Sequence, residues 1–500
     1  MNAYNRIMKK RNYILLLAIG FLVLATGCKK FLDIRPDNLV FEEDLFEARD
    51  GFESALADIY DRLGTSSLYG REMKFGLMDA MVGYWQIPVQ QHTYTQATAM
   101  DFSQTNNRTR VDAMWSGLYN AINKTNHILK NIDRIKGDDY YDLVRGEALG
   151  LRAFLHLELL RLFGPVIKEE GLGERAIPYY KEVKNNPQPF KTAGEVLQLI
   201  EEDLVAAEKA LENDPIRTYG RTGNGNGYGS IRYNSLLDRR GIRMNYLAVL
   251  GLKARKSMWE GNLEEAYNRA EFVINNLNGA VRLINASDVA SSYQRINRFT
   301  PENLFGLYAR KQRDLITAYL PDIANLNTTA SSVLLPQYTW YYNNYYNNSV
   351  HGSVNDYRLQ NWFAQTSNSQ YRFVKLEINP DDTEFLHQFE IPMVALPEMY
   401  FIMAEAKAHT DPEAALEILN RFRLSRNLST PIPYDEGVTT TQSVIDYVFA
   451  EATKEYVGEG MMYLMYKRAF RPIVRPTGTV QPSLSNMRFP IPVDEDVYNK

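Results

Sequence analysis

The spacing of apolar and polar positions is helical over most of this chain. Residues 41–63 place Leu45, Phe52, Leu56, Ile59 and Leu63 on one stripe with a period of about 3.6 residues, which predicts an amphipathic helix. The same spacing returns over 111–135 (Met114, Trp115, Leu118, Tyr119, Ile122) and over 140–163 (Leu143, Leu149, Phe154, Leu157, Leu160). The short Gly137-Asp138 turn between them predicts an antiparallel hairpin, and Gly164-Pro165 stops its second helix. Further helices are predicted over 192–211, 242–259, 263–277, 397–409, 412–426, 442–456 and 461–470. Thr192 followed by Glu195 predicts a capping box at the first of these.

Two stretches break the pattern. Residues 64–109 dissolve into Gly, Gln, Thr and Asn with scattered aromatics, apart from a short helix expected over 73–81. Residues 280–389 are long, Asn- and Tyr-rich and poorly periodic, which predicts loops with a few short strands; long loops on a rigid scaffold tend to carry function. The glycine-rich run at 223–227 has no strand before it and no GKS ending, so it reads as a loop and not as a phosphate cradle. Tyr246, Ala248, Gly261, Ala266 and Ala270 follow the order of a tetratricopeptide repeat, in which small residues let paired helices approach; 397–409 with 412–426 is a second candidate pair. The expected fold is mainly α, a tetratricopeptide-like helical-pair scaffold with long irregular loops and few short strands.

The N-terminus changes the compartment. Lys9, Lys10 and Arg11 precede an apolar stretch at 13–25 that falls short of the roughly 20 residues a membrane span needs, and Thr26-Gly27 then lead into Cys28, the only cysteine. This order predicts a lipoprotein signal over 1–27, lipidation of Cys28, a tether over 28–40 and a single domain over 41–500. Ala25 stands where such signals usually carry leucine. With that cysteine committed to lipid, no internal disulfide remains available. A formal net charge of −4 gives no footprint for nucleic acid.

Several segments resemble one family. Residues 146–154 (GEALGLRAF) running into 162–166 (LFGPV) resemble the GEARFLRAF helix and following LFGDVP of the SusD/RagB lipoproteins, and 115–129 resemble that family's W..LY.AI..AN.IL helix. Residues 396–406 resemble its LAEMYLIRAEA segment, 451–468 its R..E...EG.R..D..R block, and 489–492 its closing PIP. Met461-Met462 departs from the Arg and aromatic usual there, and the sequence closes at Lys500 without QNPGY. The resemblance implies an α/α superhelix of four helix pairs. It also implies a non-catalytic lipoprotein at the outer-membrane cell surface that captures oligosaccharide and acts as a lid on a SusC-like TonB-dependent transporter.

The residues offer little for catalysis. The six histidines show no metal-ligand spacing, no GxSxG elbow is present, and no cofactor motif appears. The acidic pairs Glu42-Glu43 and Asp381-Asp382 read as solvated, and Asp381, Asp382 and Glu384 lack the EF-hand pattern that would make a calcium site specific. Aromatics are more telling. Trp115 and Trp259 lie on helical apolar faces and read as core, whereas Trp85, Trp340 and Trp362 lie in the loop-rich stretches. The densest cluster, residues 340–348, alternates rings with amides: rings can cover the apolar faces of sugars while amides bond hydroxyls. Trp85, Tyr94, Trp340, Tyr341, Tyr342, Asn343, Tyr345, Tyr346 and Trp362 are therefore the candidate ligand-binding residues. The same rings would serve equally to pack the loop onto the helices. A peptide ligand, or a surface glycosidase resting on the acidic pairs, remain the alternatives.

Overall fold

Each amphipathic helix buries its apolar stripe against the next helix in sequence, and that rule builds a superhelix. The structure, a computed structural model, describes residues 42–87, 91–184, 186–222, 236–290, 297–321, 331–366, 369–378 and 386–498. Cys28, the signal, the tether, the glycine run at 223–227 and the acidic group at 381–384 lie outside the described residues. Among the described residues ahead of Ala48 is the short helix Glu42–Leu45; Ala48–Lys500 forms one compact unit.

In that unit α1 (Arg49–Leu63) packs on α2 (Thr105–Asn131), α2 on α3 (Tyr141–Phe163), α3 on α4 (Ala193–Ala210), and α4 on α5 (Tyr246–Glu260). The order continues through α6 (Leu263–Asn275) and α7 (Leu396–Ala408), and α7 is covered by α8 (Pro412–Leu424) and α9 (Thr441–Glu455). A further helix, α10, spans Met461–Ala469. The fold is mainly α and tetratricopeptide-like, as expected. Among the described residues, no helix is long and apolar enough to cross a membrane.

Local chemistry explains the boundaries. The capping box at α4 is present: Thr192 Oγ1 accepts from the Glu195 N–H while the Glu195 carboxylate accepts from the Thr192 N–H. Between α5 and α6, Gly261 takes the left-handed conformation at φ 88° and Asn262 caps the Glu265 N–H, so two residues reverse the chain. Close approach needs small residues: a Cβ on Gly146 would lie 2.6 Å from Leu211 Cγ, and one on Gly150 would lie 2.6 Å from Met244 Cγ. Three helices are shorter at their start than the spacing predicts, and the one expected over 73–81 spans Leu77–Val82. The stretch over 41–63 is interrupted because Ala48 is extended (φ −139°, ψ 166°). The helix expected from 242 starts at Tyr246, because Arg240, fully buried, ties the preceding turn to Asp214 and Glu147 and leaves Asn245 to cap Ala248.

The long irregular stretch leaves the superhelix after α6 and returns at α7. Its exit and return are clamped together, because β2 (Asn303–Tyr308) pairs antiparallel with β6 (Glu390–Ala395), Phe305 opposite Val394 and Tyr308 opposite Glu390. The excursion also holds β3 (Leu335–Pro336), β4 (Phe363–Gln365) and β5 (Tyr371–Phe373), and β1 (Trp85–Gln86) precedes them in the chain.

Beneath this excursion lies a buried network of equal positive and negative charges. Arg358 donates to Asp356, Glu451 and Glu455, each at 2.7–3.1 Å. Arg426 bridges Glu302 and Glu455, and Arg423 and Lys454 both reach Glu451. These side chains are at most 5% exposed. Charges taken from water must be matched and hydrogen-bonded, and removing one partner strands the others. Glu451→Gln is expected to cost about 3–5 kcal/mol, read as a lower urea midpoint; an unchanged midpoint would show that the network does not bear on stability.

Titration should expose the same groups. Burial opposes ionisation of Glu451, yet Lys454, Arg358 and Arg423 hold its carboxyl far below the usual range, so its stabilisation is present above the ordinary value of 4.5 and lost as pH falls. Burial pushes His156 down to about 3, so it stays neutral when folded while the unfolded chain takes up a proton below 6.5. Stability should therefore decline from about pH 6.5 downward, and His156→Gln should flatten the upper part of that decline. Urea midpoints that stay constant between about pH 7 and pH 4 would contradict this account.

Candidate functional site

The structure brings the two sequence-separated aromatic patches together. β1 pairs antiparallel with β3, Trp85 opposite Pro336 and Gln86 opposite Leu335. Side chains reinforce the ladder: Gln86 Nε2 donates to the Pro336 carbonyl at 2.8 Å, and the Gln337 N–H donates to the Tyr84 carbonyl at 3.0 Å. From this anchor the chain turns into a helix, Tyr338–Tyr341, and continues without interruption as a π-helical turn, Tyr342–Tyr346. Such turns are rare and often mark functional sites.

Helical spacing sorts the rings into an inner and an outer face. Tyr341 and Tyr346 face inward at 4% and 2% exposure. Tyr341 stacks on Tyr84 (centroids 5.2 Å apart, 28° between planes), whose hydroxyl donates to the Thr453 carbonyl on α9. The outer face keeps Trp340, Tyr342 and Tyr345 half-buried and Asn343 and Asn344 exposed. Trp340 meets Tyr345 edge-on at 5.5 Å, and Tyr345 stacks on Tyr341 at 5.7 Å, so the half-buried rings stand on a buried one. Desolvation raises the Tyr345 hydroxyl above its ordinary pKa, against a hydrogen bond with Thr453 that lowers it; the hydroxyl stays neutral.

On the flank, Tyr342 stacks on Tyr338 (5.9 Å, 20°) and Tyr338 lies flat on Tyr371 of β5 (3.4 Å, 9°). Desolvation, then a hydrogen bond to Tyr371, raise the Tyr338 hydroxyl pKa. Tyr338, Tyr371 and Asn344 extend the platform beyond the sequence candidates. Tyr338 could have been found, lying one helical turn before Tyr342; Tyr371 arrives from another strand and left no signal in the spacing.

The platform is uncharged. No Asp, Glu, Lys or Arg occurs between residues 337 and 349. Behind it the chain is held by the buried network: the His351 carbonyl accepts from Lys454 Nζ at 3.2 Å and from Arg423 Nη2 at 3.4 Å. Gly352 is required at the return, because a Cβ there would lie 2.6 Å from the Tyr346 carbonyl oxygen.

Five candidates are placed inside the protein rather than on this face. Trp85 is 1% exposed, its indole N–H donates to the Phe75 carbonyl at 2.7 Å, and its ring meets Phe373 edge-on. Trp362 is fully buried, donates to the Asn297 carbonyl and carries Lys375 Nζ 3.8 Å from its ring centre. Tyr94 is fully buried beneath Arg110, and Tyr341 and Tyr346 are buried as described. As placed, these five rings are enclosed by the fold, and Tyr341 lies directly beneath Tyr345 of the platform. Trp115 and Trp259 are in the core, as expected, at 3% and 5% exposure.

The scaffold of stacked helix pairs holding a long aromatic excursion is shared with known structures. Residues 30–225 match a SusD-like family model described as "Starch-binding associating with outer membrane". The fold is shared with the crystal structure of a SusD-like carbohydrate binding protein from Bacteroides vulgatus, at TM-score 0.65 and 18% identity over 90% of this chain and 96% of that one. SusD superfamily structures from Bacteroides fragilis (TM-score 0.67, 19% identity, 91% and 99% covered) and Bacteroides thetaiotaomicron (0.66, 19%, 90% and 98%) agree. No curated protein matches the sequence. The fold is shared with these SusD superfamily structures, and residues 30–225 are similar to the SusD-like family model.

The two kinds of tryptophan should separate by stability. Trp85→Ala is expected to cost about 3–5 kcal/mol, as for other buried aromatics, whereas Trp340→Ala should cost well under half of that. Equal losses in thermal unfolding would contradict the inner and outer assignment.

Proposed function

We propose that this protein is a non-catalytic cell-surface lipoprotein that captures oligosaccharide and passes it to a SusC-like TonB-dependent transporter of the outer membrane. The observation that carries the reading is the uncharged outer face, on which half-buried Trp340, Tyr342 and Tyr345 and exposed Asn343 and Asn344 stand on rings buried in the fold. Flat rings bury the apolar faces of sugars, and amides and hydroxyls exchange hydrogen bonds with water for those of a sugar at small net change. A platform whose rings are already stacked loses little side-chain freedom on binding.

The family description and the Bacteroides vulgatus carbohydrate binding protein of the same fold support the ligand class. The signal pattern ending at Cys28 supports a lipid anchor. Residues 337–349 hold no carboxyl group for general-acid chemistry, which favours capture over cleavage.

Titration calorimetry against a panel of neutral oligosaccharides should find a ligand whose affinity falls about tenfold in Trp340→Ala, a loss of ~1.4 kcal/mol. An unchanged affinity would refute the platform as the site. Ligand captured from the native membrane and read by mass spectrometry as peptide would replace glycan with the alternative class. Co-purification from membranes should bring a barrel transporter with the protein, and its consistent absence would remove the partner.

A further inference from the structure

A second cleft, of about 530 Å³, lies between the C-terminal half of α1, the turn Arg240–Ile242 and the segment after β2. Its volume falls within the range of about 300–1,000 Å³ usual for small-molecule sites. Its chemistry is opposite to that of the platform.

The local sequence Arg239-Arg240-Gly241-Ile242-Arg243 sets up one wall. Arg240 is turned inward, fully buried, and donates to Asp214 and Glu147 at 2.7–3.0 Å. With that residue pinned, Arg239 and Arg243 on either side of the turn line the cleft. Arg239 is held in the left-handed region at φ 53°, which a non-glycine residue adopts at a cost and which recurs at functional sites. Arg243 is fixed by Glu147 at 3.3 Å, with its guanidinium 5.9 Å from the centre of the Tyr60 ring.

The opposite wall supplies Tyr308 and Arg310, while Lys311 reaches across the mouth to Asp61 of α1 at 2.7 Å. Asp238 and Asp314 complete the lining with acceptors. Guanidinium groups grip carboxylates in fixed bidentate geometry, and aspartates accept from pairs of hydroxyls. Tyr60 and Tyr308 add apolar ring surface between them.

We propose that this cleft is a second binding site, specific for a uronate-bearing oligosaccharide of disaccharide size. Its carboxylate is gripped by Arg239, Arg243 and Arg310, and its hydroxyls donate to Asp238 and Asp314. The site is independent of the platform and stands whether or not the platform binds glycan.

The test is calorimetry of the purified full-length protein with digalacturonate, cellobiose and glycylglycine. Digalacturonate should bind, cellobiose and glycylglycine should bind far more weakly, and the digalacturonate affinity should fall in about 0.5 M NaCl. Arg239→Gly, which keeps the left-handed backbone accessible, and Arg310→Ala, on an exposed rim residue, should each weaken digalacturonate about tenfold. Thermal unfolding of both variants shows that they are folded, and Trp340→Ala should bind digalacturonate as the parent does. Failure of digalacturonate to bind, equal binding of either control, parent-like affinity in both arginine variants, or loss of binding in Trp340→Ala would each overturn the proposal.

Discussion

The structure depends on one constraint: the ion network around Glu451 must stay complete inside the protein. Glu451 pairs with Arg358, Arg423 and Lys454 together, and its neighbour one turn on, Glu455, pairs with Arg358 and Arg426. These residues come from α9, from the C-terminal end of α8 and from the excursion at 356–358, so matching the charges fixes three separate pieces of chain relative to one another. Hydrophobic burial alone would let those pieces slide. Paired charges in a dry interior do not, because every displaced partner is left unsolvated.

The platform follows from that anchoring. Arg423 and Lys454 hold the His351 carbonyl just beyond the π-turn, and the β1–β3 ladder holds the chain just before Tyr338. Fixed at both ends, the thirteen-residue stretch between 337 and 349 has to coil tightly, and it divides its rings between a buried inner set and a half-buried outer set. Binding and stability thereby use the same run of sequence. Tyr341 and Tyr346 contribute packing; Trp340 and Tyr345, the residues just before them, contribute the half-buried outer rings.

Much of this was legible in the sequence, and the failures share a cause. The helices were readable because a 3.6-residue period repeats over many residues, and Thr192-Glu195 and Gly261-Asn262 punctuate it chemically. The aromatic run at 340–348 was visible as composition. Its division was not, because burial of Trp85 and Trp362 depends on Phe373, Phe299 and Lys375, which come from distant strands and loops. The charged residues of the network were equally hidden: Arg358 and Glu451 look like any surface pair until long-range packing encloses them. The same blindness covers the second cleft, whose walls come from α1, the turn near Arg240 and the chain after β2.

The central claim is that the outer rings of the aromatic helix are the surface on which ligand lies. The most direct measurement is a crystal structure of the protein with an oligosaccharide shown to bind in solution. Sugar rings should lie against Trp340 and Tyr345 with hydroxyls bonded to Asn343 or Asn344, and the inner rings Tyr341 and Tyr346 should be unmoved. A bound sugar that touches none of these outer residues would contradict it.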